Sequence, residues 1–474
     1  MTELIIWKEG STNDFKLEIN EKSIAKNFQV NTVGELKDRQ ANFTKRFKAP
    51  KTPNNQKALE MLGVVGSTTD IPHGLIKAKL IDSGFEIVQD GRLDVLEETS
   101  EYYELSIIDG NNTFFDKIRN KTFEDLDWSA LNHDNDINEW INSQTNTSGF
   151  IYAIGDFGNL TDPELNISYQ VASVYVHTIW EMIFQEAGFT FNGSFFSDPN
   201  YLLDVINPGN GNSYDLIVNT NIDFGELFKN VKQYDFIKDV MQRYGLMFQT
   251  TKKELRFEKF DDVIDGKFGR VDWSDKFDRK ISEKYISGYG ETNTAKYKYE
   301  SGVISFADGF LTANNIKENK DLFTSIYTAS ISRQSYIPTT TLLYQVHVYN
   351  DSNQAKTVGI RIFRIEKFTQ ASAIDLIDIN NNTGNHSGTT STLSFTSLDY
   401  QTLLDLHYDS FKNKVLNNFK LFNNSIKVKQ IDIQNLDFFK LIHISYLGSD
   451  FYLNKISNYQ SSKVTNVELI KINP

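Results

Sequence analysis

Asp261 and Asp262, adjacent at the end of the string LRFEKFDD, are the nearest this sequence comes to the paired carboxylates that divide acid and base work in glycoside hydrolysis. On an extended chain, neighbouring side chains point to opposite faces, so one pocket is not served by both, and the pair reads as a solvated turn closing a hairpin. Other chemistry-bearing residues are as sparse. The seven histidines are scattered, and His177, with no second histidine at helical spacing, reads as a packed helix residue rather than a metal ligand. Asp134, Asp136 and Asn138 are spaced like the opening of a calcium loop, but Glu139 and Thr145 stand where that loop needs its glycine and its bidentate glutamate. The chain has no cysteine, so disulfides, thiolate metal sites and cysteine nucleophiles are excluded. Phosphate-loop, GxSxG and HExxH patterns are missing too. The expectation is a protein that is not an enzyme and carries no cofactor or metal.

One basic aromatic cluster stands out, Lys45, Arg46 and Lys48 with Phe43 and Phe47. Such interleaving suits single-stranded nucleic acid. With 49 basic against 62 acidic residues and a net charge of −13, however, the chain is not built to hold phosphate backbones. Pro50 and Pro53 favour extended backbone and withdraw amide donors. Phe43, Phe47, Pro50, Pro53, Asn54 and Asn55 therefore form a candidate intersubunit arm, with a surface loop of the same domain as the plainer alternative.

The elements that must position these residues are mainly strands. At 474 residues the chain exceeds what one core normally supports, so several domains are expected. The start, MTELIIWKEG, lacks the pattern of a signal peptide, which predicts synthesis in the cytoplasm, and no run approaches a membrane-spanning length. Strands are predicted at 4–7, 15–19, 75–81, 85–89 and 103–109, separated by turn residues such as Asp82-Ser83-Gly84. A polar stretch follows, in which Leu126, Trp128, Leu131, Ile137, Trp140 and Ile141 look like anchors of a docked connector. Apolar residues at three- and four-residue spacing predict helices over 171–187 and 234–244, each stopped by a glycine, Gly188 and Gly245.

The strings IFQEAGFTF (183–191) and VMQRYGLMF (240–248) are alike, which is either a duplicated helix-to-strand unit or the common look of any glycine-capped helix before a buried strand. Hairpins are predicted for 246–260 and for 343–348 with 358–365, residues 294–333 show no firm period, and 380–391 reads as an exposed loop. A third helix, 399–413, leads into C-terminal strands, including a hairpin turning at Gly448, Ser449 and Asp450 and a last strand in KVTNVELIKINP.

The strings ANFTKRFKAPKTPNNQKALE (41–60), EYYELSIIDGNNTFFDKIRNKTFEDLD (101–127), YVHTIWEMIFQEAGFTFNGSFFSD (175–198), FIKDVMQRYGLMF (236–248) and the ending from Leu436 to Ile472 resemble tail proteins of tailed phages and prophages of Bacteroidetes-type bacteria. The resemblance covers most of the chain and is least clear from about 290 to 396. It implies a virion component assembled in the host cytoplasm: a tail hub or baseplate protein joining the tail tube to the tip. Hubs of that kind carry two tube-like β-barrels per chain, so that a homotrimer meets a hexameric tube, with tube and tip proteins as neighbours and DNA passing without specific binding. The acidic balance suits such a bore, although it equally keeps a large protein soluble. The alternatives are a hexameric distal tail adaptor and a carbohydrate-binding or carbohydrate-cleaving tip protein.

The fold expected is α+β, mainly β, with several small domains, tube-like antiparallel β-barrels and a few packed helices. The expected divisions are a β-rich barrel-like domain (1–112), a connector (113–169), an αβ domain with two helix-to-strand units (170–290), a β-rich domain or insertion (291–396), and a helix with barrel strands (397–474).

Overall fold

The computed structural model describes residues 2–8, 10–11, 13–20, 24–29, 42–44, 46–71, 73–109, 112–157, 164–208, 221–285, 288–299, 305–314, 317–333, 343–344, 346, 359–369, 373–378, 380–461 and 463–474. The fold is α+β and mainly β, as the alternating segments predict. Its largest element is a 14-stranded sheet to which both ends of the chain contribute. Strand Thr2–Lys8 lies between Phe15–Leu17 and Ile76–Asp82, and Phe85–Glu98 and Tyr102–Asp109 continue the meander. Short strands then make the seam: Asn42–Thr44 pairs Tyr102–Asp109, and Lys26–Phe28 pairs Asn42–Thr44 on one side and Ser449–Tyr459 on the other. Beyond it come Thr465–Lys471, Leu421–Ile426 and finally Phe277–Lys284.

Period-two alternation explains why these segments choose strand. Leu4, Ile6, Ile76, Ala78 and Leu80 turn inward, and the same core holds Phe422, Ile442, Phe451, Leu453, Ile456, Val467 and Leu469 from the other end of the chain. Each fully buried leucine or isoleucine there contributes about 1.5–3 kcal/mol, so the two chain ends stabilise one another. The predicted hairpin near Gly448 is present as Leu441–Ile444 with Ser449–Tyr459, and Gly448 has φ 56°. The expected tube-like barrels are not found as closed barrels: among the described residues the main path of the sheet runs from Phe15–Leu17 to Phe277–Lys284 without closing on itself, and a branch through Leu441–Ile444 ends at a further edge strand, Arg270–Asp272.

The second core belongs to the middle of the chain. Helix Val176–Ala187 buries Ile179, Trp180, Ile183 and Phe184, and helix Gln233–Arg243 buries Phe236, Ile237, Val240 and Met241. The first helix starts at Val176 rather than Val171 because Ser173–Tyr175 is held as a strand between Phe150–Ile151 and Asp204–Asn207. Gly188 (φ 70°) and Gly245 (φ 61°) end the helices in the left-handed region that a side chain enters at a cost. The two similar strings therefore share helix, glycine and strand, and their strands, Thr190–Asn192 and Leu246–Thr251, flank the same strand, Glu254–Lys259. The connector anchors dock here: Leu126, Trp128 and Trp140 are buried, and Leu131, Ile137 and Ile141 pack against them.

Residues of the 291–396 segment complete this middle module. Arg361–Thr369 joins Asp204–Asn207 to Thr389–Ser394 in one antiparallel sheet, and Thr292–Lys298 pairs with Gly309–Thr312 and Lys320–Thr328. Leu343–Tyr344 pairs with Ser332–Arg333; of the predicted hairpin of 343–348 with 358–365, residues 345 and 347–358, with its turn, lie outside the described residues. The loop expected at 380–391 contains strand Thr383–His386, paired with Ile374–Ile377, and the start of Thr389–Ser394.

Candidate functional site

The candidate arm folds back on its own domain. Phe47 opens strand Phe47–Pro50, which pairs with Tyr102–Asp109, and its ring is buried. Phe43 pairs through its backbone with Asn27 and Ile108. Thr52 caps helix Pro53–Ala58 by accepting from the Asn55 amide, with Pro53 at the first helical position, where its missing N–H costs nothing. That helix lies along Phe15–Leu17. Asn54 Nδ2 donates to the Lys16 carbonyl at 2.8 Å. The fully buried Asn55 accepts from the Glu18 amide and donates to the Glu18 and Pro50 carbonyls, each at 2.8 Å. Residues 16 and 18 alternate with those facing Thr2–Lys8, so two asparagine side chains occupy main-chain groups that a further strand would otherwise take.

Past the helix, the chain turns outward. Tyr103 donates its hydroxyl to the Leu62 carbonyl at 3.0 Å, and Lys8 holds Glu60 at 2.7 Å. Met61, between these pins, and Val64, just past them, are half exposed, and Val65 is fully so.

The opposite end of the sheet is finished differently. Phe277–Lys284 pairs with Leu421–Ile426 on one side, and among the described residues no strand pairs with its outer side. Exposed aromatic rings flank it, Tyr285 at 64% and Tyr446 at 61%, the latter 5.9 Å from the Phe277 ring. A second edge strand, Arg270–Asp272, lies on the branch of the sheet and pairs only with Leu441–Ile444 among the described residues.

The candidate chemistry does not assemble into a reaction centre. Asp261 and Asp262 begin a short helix, Phe260–Ile264, which corrects the solvated turn. The two carboxylates part company there, as adjacent positions require. Asp261 accepts the amides of Phe411 and Ser410 at 2.9 and 3.0 Å, while Asp262 pairs with Lys267. Burial pushes Asp261 up to about 6 despite those two donors. His177 is buried between the rings of Tyr175 and Tyr201 as a packing residue, and burial lowers its basicity. Asp136 caps helix Ile137–Ser143, and among the described residues no three metal-ligating side chains gather.

A cleft of about 880 Å³ runs between the end of the Asp261 helix and the last residues, lined by Asp265, Arg270, Lys414, His443, Asp450 and Lys471. His443 Nδ1 lies 2.6 Å from Asp450, which Arg270 also reaches at 3.4 Å, and Lys414 bonds Asp265 at 3.0 Å. An aspartate-oriented histidine is two-thirds of a hydrolytic triad. Among the described residues no hydroxyl bonds its Nε2, so the geometry stops at a dyad.

Two buried charge networks tie the middle module together, and sequence reading missed both. Arg243 is buried, donating to Asp239 at 3.0 Å and to the Tyr297 hydroxyl at 2.6 Å, with the rings of Tyr327 and Tyr400 within 5.4 Å. Asp239 also accepts from Ser325 and the Ile326 amide. Nearby, Arg364 bonds the buried Asp204 at 2.9 Å, and Tyr244 shares that carboxylate. Burial raises Asp204 against the pull of Arg364. An arginine on a helix four residues after an aspartate was the available signal. These networks hold one conformation; they present nothing to a substrate.

No family model matches the chain, and no curated protein matches it. Among solved structures it is similar to the prophage tail protein gp18 from Listeria monocytogenes EGD-e, at 10% identity and a TM-score of 0.41, over 99% of this chain and 94% of that one. It is also similar to the 43 kDa tail protein of prophage MuSo2 from Shewanella oneidensis, at 7% identity and a TM-score of 0.40, over 100% and 98%. At that likeness no residue role carries across.

Proposed function

We propose that this chain is a structural subunit of a phage tail, a hub or baseplate component that joins tube to tip as a ring-shaped homotrimer around the path of the DNA. The observation that carries the reading is the 14-stranded sheet built from both chain ends, with the seam at Lys26–Phe28 between an N-terminal and a C-terminal group of strands. Two β groups per chain give three copies six of them, the number a hexameric tube requires. The strings that resemble phage tail proteins contribute to both groups, in 41–60, 101–127 and 436–472. An acidic chain of net charge −13 suits a conduit from which DNA must slide free.

Light scattering of the purified protein at several concentrations, with negative-stain images of the same sample, tests this. Three copies of 54.4 kDa, or a multiple of three, with a central hole is the expected result. A monomer or dimer without a ring at every concentration would overturn it.

A further inference from the structure

The open edge of the large sheet has a sequence that is complementary to itself. Read antiparallel about Ile281, the nine residues FDRKISEKY (277–285) place Phe277 opposite Tyr285, Asp278 opposite Lys284, Arg279 opposite Glu283, Lys280 opposite Ser282, and Ile281 opposite its own copy. Twofold symmetry doubles each contact, giving four cross-strand ion pairs and two aromatic pairs, and in a regular antiparallel ladder the two members of each pair share a face. Shifting the register by one residue sets Asp278 against Glu283 and loses the match.

The structure leaves this strand available. It ends the main path of the sheet, and its register on the inner neighbour is irregular between Phe277↔Ile426 and Ile281↔Asn424. Tyr285, the residue that follows the strand, is 64% exposed. The other end of the sheet is unsuited to strand addition, since Asn54 and Asn55 hold the outward groups of residues 16 and 18.

We infer that two copies of this chain pair through residues 277–285 in antiparallel register centred on Ile281, forming one sheet continuous across a twofold axis. A twofold contact closes on itself, so it joins two subunits or two rings and does not build a ring. The inference therefore stands apart from the tail reading, and its test reads a different quantity.

The chain has no cysteine, so Ile281→Cys introduces a single thiol. Facing residues in an antiparallel ladder sit about 4.5–5.5 Å apart at Cα, within the range a disulfide spans. Under mild oxidation Ile281→Cys is expected to give a covalent dimer, and Asp278→Cys, which faces Lys284, is not. Independently, Arg279→Glu sets glutamates against Glu283 twice and is expected to weaken association about tenfold, with recovery in Arg279→Glu/Glu283→Arg. Equal crosslinking at positions 278 and 281, or a charge reversal that the second exchange does not restore, would overturn the pairing. Ring formation, judged by mass and images, is unaffected by either outcome.

Discussion

Two edges of one sheet are finished in opposite ways. At Phe15–Leu17 the chain spends a helix and two asparagine side chains on closing the edge. At Phe277–Lys284 it leaves the edge unpaired among the described residues and writes a charged, self-complementary sequence into it. Unpaired edges invite indiscriminate aggregation, and charge is one of the means of restricting it. The difference teaches that the first edge is a wall and the second a selective contact. It also sorts the residues: those at the closed edge act in stability, and those at the open edge act in association.

The largest expected effect lies at the wall. Asn55→Ala removes three hydrogen bonds from a buried position and strands the main-chain groups of Glu18, for a loss of about 2–4 kcal/mol in urea unfolding. Asn54→Ala removes one exposed bond, and about 0.5–1 kcal/mol is expected. If both variants match wild type, the edge is not closed by these side chains.

Proline at Ser282 and at Glu283 separates the two sides of the open strand. Adjacent amides point opposite ways, so one substitution breaks the bond to Leu421–Ile426 and destabilises the monomer, while the other acts on an unpaired amide. For that second variant, monomer stability within about 0.5 kcal/mol of wild type, together with lost association, is the expected result. Equal destabilisation by both would show that the outer side is already bonded.

The smallest effect is a pH dependence away from both edges. Asp261 titrates near 6 in the fold against an ordinary 3.8, so the native state binds the proton more tightly, and this carboxyl adds stability as pH falls from about 6 towards 4. His407, lowered to about 4 by burial, works the other way: stability is lost as pH falls from about 6.5 to 4. Asp261→Asn therefore leaves His407 unopposed, and its melting temperature is expected to drop more steeply than wild type between pH 6 and 4. A parallel pair of curves would contradict the assignment.

Local pattern made much of this legible. The N-terminal strands, the two glycine-stopped helices and the Gly448 hairpin are fixed by alternation, helical spacing and left-handed glycines, which act within a few residues. What sequence reading missed is what depends on distant partners. Strand Lys26–Phe28 is three residues long and gains its place from Ser449–Tyr459, more than four hundred residues away. Arg361–Thr369 gains a partner strand, Asp204–Asn207, from more than 150 residues away. Asp261 reads as solvated until residues 410 and 411 arrive to donate to it. Of the candidate arm, Pro53 reads as extended backbone and instead opens a helix capped by Thr52, and the targets of Asn54 and Asn55 at Lys16 and Glu18 lie far back in the chain.

Hydrogen exchange resolved to single amides, at low and at high protein concentration, tests the contrast between the two edges most directly. The account predicts that the Glu18 amide is protected at both concentrations. It also predicts that alternate amides within 278–284 exchange freely when the protein is dilute and become protected as concentration rises. Fast exchange at Glu18, or an open-edge strand whose protection does not change with concentration, would contradict it.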